Sequence, residues 1–490
     1  MTPRHTRLFA ASALLALACP KPSVPPADAP ALMPFPAAMP EVTPDYTWSP
    51  PPPEVVTTVA GSQLWHVHRP GLPLVSVRII LPGGSSVDPE SQPGLTAFSD
   101  DMLLRGAGDL DAAAFSAALQ AEAIALSVVT GRDRTILSLD CTVETLPTAM
   151  SMLHRAVTAP RFDPDETERA RVQRIQSRKD ALDNPRSVAS AVGWQEFFGA
   201  DHPYAHPPMG TAESLITPSA KDLADSWRQR AHPAAARWVV VGDIKVEAAR
   251  TLIADHFGDW TSKQTAPPSL PPPPGLTAPA ARGGRVMVDN PGASQTVLRV
   301  WMPGWSASDP HRVAGDLGTV VLGGTFTSRL NALLREEKGY TYGARAGLTN
   351  GRGYGTITVR TNVVIDKTGP ALRDLIAELN RFPEGITAAE AGKAEASRRT
   401  DAIEVSGSRS AGADLLAGLA GDGRNADGQL ADIHMAARIE PADINRVLET
   451  LNIDDSLVVV VGDLARIRAE VEAALPGAWI ELDASGKPRR

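Results

Sequence analysis

Cysteine is almost absent from this chain, with only Cys19 and Cys141 among 490 residues. Two cysteines cannot build a disulfide framework or a cysteine-rich zinc site. Cys141 lies in an alternating, strand-like run with no histidine nearby in the sequence. We therefore predict that Cys141 is a buried structural thiol and not a nucleophile.

The chain also lacks an excess of positive charge, since its formal net charge is -8. This balance argues against a nucleic-acid partner, because nucleic acids favour basic faces. Hydrophobic residues make up 43% and charged residues 21%, which is typical of a globular protein. The length predicts several domain-sized units.

Residues 1–19 have the pattern of an export signal. An apolar run from Leu8 to Leu17 follows two arginines and is too short to span a bilayer. Cys19 comes directly after a cleavage signal ending at Ala18, as in a bacterial lipoprotein. We favour lipidation of Cys19, which would anchor the protein to a membrane. Ordinary cleavage after Ala18 is the alternative, because Ala16 stands where that signal usually has leucine.

Proline is abundant, at 43 residues, and it is clustered in residues 20–53 and 263–280. We interpret both stretches as extended linkers, the first one solvated. The first stretch precedes an N-terminal domain, 54–262, and the second joins it to a C-terminal domain, 281–482. The run Val239–Ile244 recurs about 220 residues later as Val459–Leu464, which indicates duplication of one unit. The predicted fold class is α+β, with two homologous halves that each have an antiparallel-rich sheet covered by helices.

The most informative stretch of the N-terminal half is Gly94 to Gly106. It follows a strand-like run, Leu74 to Leu81, and a loop of turn-forming residues. Its apolar residues share one face at helical spacing, which predicts a helix. The positions on this helix that matter for chemistry are Ala97, Asp100 and Asp101.

The C-terminal half contains an arginine and a tyrosine seven residues apart, Arg335 and Tyr342. A guanidinium can hold carbonyl or carboxylate oxygens with a fork of donors. A phenol can donate a hydrogen bond to a developing oxyanion. The alternative is that Arg335 forms a surface ion pair and that Tyr342 packs within a strand.

Both stretches resemble the insulinase/pitrilysin (M16) family of zinc peptidases over about residues 54–480. The resemblance implies a fold of two M16-type (LuxS/MPP-like) halves. In that family the first helix carries His-x-x-Glu-His, whose histidines bind Zn²⁺ and whose glutamate activates a water molecule. The resemblance places Ala97 and Asp101 at the two histidines and Asp100 at the glutamate.

The third zinc ligand of the family is a glutamate on a helix some 75 residues further on. The corresponding helix here spans Asp165 to Leu182, and no glutamate occurs between Glu168 and Glu196. A catalytic zinc site needs about three protein ligands. The resemblance therefore implies that this chain has no complete catalytic set and binds no zinc itself.

The resemblance also implies a role, because some bacterial members of the family work as two different chains. This chain looks like the non-zinc subunit of a heterodimer, inactive alone, with Arg335 and Tyr342 binding the peptide substrate and zinc held by the partner subunit. An extended peptide would bind at a sheet edge. The predicted location is the periplasm, where a lipid anchor would attach the protein to a membrane. We favour the outer membrane over the inner one.

Two alternatives stay open at this point. The chain could be a catalytically dead peptide-binding or scaffold protein of the cell envelope. It could instead be an active peptidase with a rebuilt metal site that uses Asp100, Asp101 and a distant histidine. Two histidine pairs are weak metal candidates: His66 and His68 on an expected exposed strand face, and His202 and His206 in a loop.

Overall fold

A computed structural model of the chain describes residues 48–58, 61–262 and 284–488. The predicted export segment, Cys19, most of the first linker and all of the second linker lie outside the described residues. The chain from Ser49 onward forms one compact unit. Within the described residues, no helix is both long enough and apolar enough to cross a membrane.

The described residues contain two six-stranded sheets that share the arrangement of five strands and differ in the sixth, since β1 pairs with β2 antiparallel and β12 pairs with β7 parallel. The first sheet has the order β1-β2-β6-β3-β5-β4, and the second has the order β12-β7-β11-β8-β10-β9. Only the β2–β6, β7–β11 and β7–β12 pairings among them are parallel. The predicted fold of two homologous α+β halves with antiparallel-rich sheets is confirmed. The strands are β1 Glu54–Thr57, β2 Gln63–His68, β3 Leu74–Pro82, β4 Ala125–Thr130, β5 Arg134–Thr142, β6 Arg237–Gly242, β7 Arg285–Asp289, β8 Gln295–Pro303, β9 Thr341–Asn350, β10 Gly355–Val364, β11 Leu457–Gly462 and β12 Ile480–Leu482.

The helices follow the same division between the two halves. Those of the N-terminal half are α1 Leu95–Asp101, α2 Ala112–Ala121, α3 Leu146–Thr158, α4 Pro164–Leu182, α5 Pro185–Phe198, α6 Ala220–Arg230 and α7 Val246–Phe257. Those of the C-terminal half are α8 Arg312–Thr319, α9 Arg329–Asn331, α10 Thr368–Arg381, α11 Ala388–Gly407, α12 Arg409–Gly421, α13 Gly428–Ala436, α14 Pro441–Leu448 and α15 Leu464–Ala474.

Local sequence signals explain several of these boundaries. Asp163 caps α4 as its spacing predicts, because its Oδ1 accepts from the backbone N–H groups of Asp165 at 2.9 Å and Glu166 at 3.2 Å. The helix that begins near Val313 does not stay regular throughout. Helix α8 ends at Thr319 and continues as a π-helical turn, Val320–Gly324. This turn contains two glycines, which have a low helix propensity.

The two halves exchange one helix each. Helix α5 of the N-terminal half packs on β8 and β11 of the other sheet, and α12 of the C-terminal half packs on β3 and β6. The α5 cluster includes Val188, Val192, Phe197, Val297, Trp301 and Val459. The α12 cluster includes Ala413, Leu416, Ala420, Trp65, Val239 and Val241. Each sheet therefore buries one face against its own half and part of the other face against a helix of the other half.

The end of the first proline-rich stretch departs from the expected solvated linker. Pro50 is buried, and Pro50 to Pro53 line a groove with β2 residue Val67 and α12 residue Leu416. A proline run has no backbone N–H groups to satisfy, so it can lie against an apolar groove at little cost. The predicted domain bounds themselves remain predictions.

Candidate functional site

The loop before α1 fixes where this helix begins. Gly94 has a left-handed φ of 89°, and a Cβ there would lie 2.5 Å from the Gly210 backbone, so only glycine fits. Asp88 accepts from the backbone N–H groups of Gly94 at 2.7 Å and Thr96 at 2.8 Å. Burial raises the pKa of the Asp88 carboxyl to about 6 in spite of these donors. The first turn of α1 is thereby held in one position.

Asp100 is fully engaged in the interior. Its Oδ1 accepts from Arg230 Nη2 at 2.7 Å, and its Oδ2 accepts from the hydroxyls of Thr130 at 2.7 Å and Thr135 at 2.6 Å. The Asp100 side chain is 1% exposed and that of Arg230 is 7% exposed. A carboxylate so enclosed cannot take a proton from a water molecule in a cleft. Ala97, one turn earlier, is also buried.

Asp101 lies between two arginines. Its Oδ2 is 3.1 Å from Arg105 Nε and 3.9 Å from Arg174 Nη1 of α4. Arg174 is buried over the ring of Phe98, and its Nε and Nη2 atoms have no hydrogen-bond acceptor among the described residues. Burial lowers the pKa of the Arg174 guanidinium. The helix that would supply the distal glutamate thus places a cation beside the motif.

The residues at this position do not fit Zn²⁺. One side chain is a methyl group, one carboxylate is locked by Arg230, and the other shares its oxygen with two guanidinium groups. No group of three His, Cys, Asp or Glu side chains able to hold a metal occurs within residues 48–58, 61–262 and 284–488. Helices α1 and α4 meet at Asp101 and Arg174, whose charged atoms are 3.9 Å apart.

The other histidines and the body cysteine have structural surroundings. His66 is buried, so the expectation of an exposed strand face is wrong at this residue; its Nε2 is 2.8 Å from the Ile244 carbonyl oxygen. His68 lies 3.6 Å from Asp243. The Nδ1 of buried His202 accepts from the Tyr204 N–H at 3.0 Å. Burial raises the pKa of the Cys141 thiol to about 12, as expected for a structural residue.

Arg335 sits on a π-helical turn, Ala332–Glu337, which follows α9 directly. Its guanidinium lies 3.9 Å from the centre of the Phe326 ring, and Phe326 is itself exposed. Its Nε is 3.5 Å from Glu336, so an ion pair with a helix neighbour is present as well. The aromatic plane fixes the direction of the guanidinium and leaves its side chain about one-third exposed.

Tyr342 occupies a β-bulge at the start of edge strand β9. Thr341 pairs with Val363 and Ala344 pairs with Thr361, so Tyr342 and Gly343 together face Asn362. A bulge bends the strand and redirects its side chains. Tyr342 is 90% exposed and therefore does not pack within the strand.

The two predicted clusters lie on elements of different halves of this chain. Within its described part, no hydrogen bond or ion pair joins Arg335 or Tyr342 to α1 or α4. Sequence reasoning did not find Arg230, whose guanidinium holds Asp100. Arg230 is 130 residues from Asp100, and no local pattern signals such a pairing.

Two halves that repeat the order of five strands define a protein built from a duplicated α+β unit. A model described as Insulinase (Peptidase family M16) matches residues 66–195, and one described as Peptidase M16 inactive domain matches residues 218–397. The two ranges together span most of the body, and the chain belongs to the M16 peptidase family.

Known relatives include proteins with and without a peptidase name. An "uncharacterized zinc protease" of Mycobacterium tuberculosis is 24% identical over 353 residues, which cover 71% of this chain and 78% of that protein. The "non-peptidase homolog YmxG" of Helicobacter pylori is 25% identical over 176 residues, 36% of this chain and 40% of that one.

Solved structures share the fold at low identity. The peptidase M16 inactive domain from Pseudomonas fluorescens has a TM-score of 0.77 at 21% identity and covers 84% of this chain and 98% of its own. The periplasmic protease PqqL from Escherichia coli has a TM-score of 0.70 at 13% identity, covering 84% of this chain and 45% of its own. At these identities the likeness concerns the fold alone.

Proposed function

We propose that this chain is the non-zinc subunit of a heteromeric M16 zinc peptidase. Its partner subunit holds the zinc, and this chain binds the peptide substrate through Arg335 and Tyr342. The observation that carries the proposal is the contrast between the two clusters. Asp100 is enclosed by Arg230 and two threonines, whereas Tyr342 projects from a bulge with 90% of its surface exposed.

The exposure of Tyr342 supports a binding role. No hydrogen bond fixes its hydroxyl among the described residues, so the fold gains little from a tyrosine at this position. Bulges are common beside active sites, where they aim a side chain. Arg335, oriented on Phe326, adds a planar set of donors that suits peptide carbonyl or carboxylate groups.

The peptide itself would be held at a sheet edge. Strands β4 and β9 are the outermost strands at corresponding ends of the two sheets. An edge strand presents unpaired N–H and C=O groups to which an extended peptide can add as a further strand. Tyr342 lies on β9, so a peptide along that edge would pass beside it.

The place of action is the periplasm in this proposal. The residues of the predicted export signal support it, and so does the fold shared with a protein named as a periplasmic protease. Cys19 would carry the lipid that anchors the chain, with the outer membrane as the favoured site.

A catalytically dead peptide-binding or scaffold role is the second candidate. It is favoured by the relative named as a non-peptidase homolog and by the lack of fit to zinc around α1. This role requires no contribution of Tyr342 to a reaction. A rebuilt metal site receives no support, because Asp100 is enclosed by Arg230 and Asp101 is shared with Arg105 and Arg174.

The test is proteolysis by the complex reconstituted with a zinc-bearing M16 subunit from the same organism. Tyr342→Phe should lower kcat/KM about a hundredfold, as loss of one oxyanion donor does, with complex formation unchanged. Tyr340→Phe is the matched control, since this tyrosine lies two residues earlier and interacts with Asp374. Wild-type rates for the Tyr342 variant would favour the scaffold role. Chelator-sensitive cleavage by this chain alone would contradict both roles.

A further inference from the structure

The face of the second sheet on which α5 packs carries a row of arginines that has no counter-charge among the described residues. Arg299 on β8 lies opposite Arg360 on β10, which lies opposite Arg345 on β9. Neighbouring strands are about 4.8 Å apart, so the row is about 10 Å long. Like charges placed directly opposite each other destabilise a sheet. We call Arg299, Arg360 and Arg345 the arginine row.

Arg299 is the member of the row whose charge costs the most desolvation free energy, because the residue is only 8% exposed. Among the described residues it has neither a hydrogen-bond acceptor nor a carboxylate partner. Burial, with repulsion from Arg360 and Arg186, lowers its pKa to about 10. A guanidinium that is kept buried beside two other cations indicates a missing anion.

The duplicated half provides an internal comparison. Strands β3 and β8 are both nine residues long, end in proline and carry an arginine at their fifth position, Arg78 and Arg299. They also hold equivalent places in the two sheets. Arg78 is paired with Asp414 at 2.7 Å and Asp140 at 3.2 Å. The fold can thus supply two carboxylates to an arginine at this place, and among the described residues it supplies none to Arg299.

The rest of the row is open to solvent. Helix α5 covers β8 and β11 on this face, while Arg345 and Arg360 are exposed and form no hydrogen bond or ion pair with another described residue. Arg186, at the start of α5, reaches Asn362: with the amide oxygen turned toward the guanidinium, Nε donates to it at 2.7 Å. Asn362 faces the bulge of Tyr342, so the row adjoins the proposed peptide site.

We propose that the arginine row binds an acidic segment of the peptide, with at least two carboxylates. A single small anion would satisfy one guanidinium fork and leave the others repelling each other. An extended peptide that crosses the strands at the row, with acidic residues at alternate positions, places same-side carboxylates about 7 Å apart. Two of them therefore fit within the roughly 10 Å length of the row. This inference names a substrate class for the proposed function and rests on its peptide-binding part.

The test is fluorescence anisotropy of the purified full chain with a labelled peptide of about ten residues that has glutamate at alternate positions. The same peptide with glutamine is the probe control. Arg345→Gln/Arg360→Gln should weaken binding of the glutamate peptide about tenfold, since each exposed ion pair is modest. Arg373→Gln, an exposed arginine on α10 behind the same sheet, should leave it unchanged. Added salt should weaken wild-type binding.

Arg299→Met separates a binding role from a structural one. This substitution should raise the melting temperature, because it removes a buried repulsion. It should also weaken binding of the glutamate peptide. Equal binding of the two peptides, or wild-type affinity of the double variant, would overturn the proposal. So would binding of inorganic phosphate at the row without binding of the glutamate peptide. Because no partner subunit is present, such failures leave the role of Tyr342 in proteolysis untouched.

Discussion

Two ion-paired carboxylates occupy the positions of α1 at which the family resemblance places a base and a metal ligand. Asp100 and Arg230 are both buried, and removing one partner of such a pair costs about 3–5 kcal/mol of stability. Asp101 is less enclosed, with its side chain 33% exposed, and is shared by Arg105 and Arg174. These acids stabilise the packing of α1 against α4 and α6, and their chemistry is that of structural residues.

Restoring the metal site requires a change on α4 as well as on α1. Ala97→His/Asp101→His supplies two ligands next to the Arg174 cation, and we expect no stoichiometric zinc. Adding Arg174→Glu supplies a third ligand and removes the cation, so we expect about one zinc per chain. Elemental analysis after dialysis against trace zinc measures both. The matched control adds Arg169→Glu, at an exposed position earlier on α4. Zinc bound by the double variant would show that the Arg174 cation does not prevent metal binding.

At the scale of elements, local patterns predicted what local chemistry determines. The helix that follows Gly94 and the repeated strands at Val239 and Val459 follow from turn residues and periodicity. The exchange of α5 and α12 could not be predicted, because an amphipathic face does not specify its partner. The π-helical turn under Arg335 and the bulge at Tyr342 depend on packing between distant segments. The family resemblance identified the Arg/Tyr pair, but it did not predict the geometry of the two side chains.

A substitution at Gly193 tests how closely α5 packs against the second sheet. A Cβ at this residue would lie 2.0 Å from the Trp301 ring, so Gly193→Ala should force the helix away from the second sheet. We expect a loss of about 1–3 kcal/mol, typical of overpacking, in chemical denaturation. Gly392→Ala in α11 is the control, since nothing lies within 4 Å of its Cβ position. That change should stabilise by about 0.5–1 kcal/mol. Equal effects of the two would mean that α5 is not tightly seated.

At the scale of the whole molecule, the exchanged helices make each half incomplete. Residues 1–262 alone leave the α12-facing side of their sheet bare, including Trp65 and Val239, and residues 281–490 leave Trp301 bare. Apolar surface of this kind favours association. The linker thus joins halves that need each other, and a substrate held by β9 is held by a frame that includes α5 of the other half.

Fragments of the chain test this mutual dependence. Expressed separately, residues 1–262 and 281–490 should aggregate or remain partly unfolded; expressed together, they should elute as one complex in size-exclusion chromatography. Asp414→Ala in the second fragment removes one hydrogen-bonded partner of Arg78, whose side chain is 1% exposed. Arg78 still has Asp140 and Ser410 as partners in this variant. Loss of one hydrogen bond to a charged group costs about 2 kcal/mol, so the fragment complex should weaken roughly thirtyfold. Glu449→Ala, at an exposed position after α14, should not weaken it. Two well-folded monomeric fragments that do not associate would show that the exchanged helices are dispensable, because each sheet would then be stable with one face open.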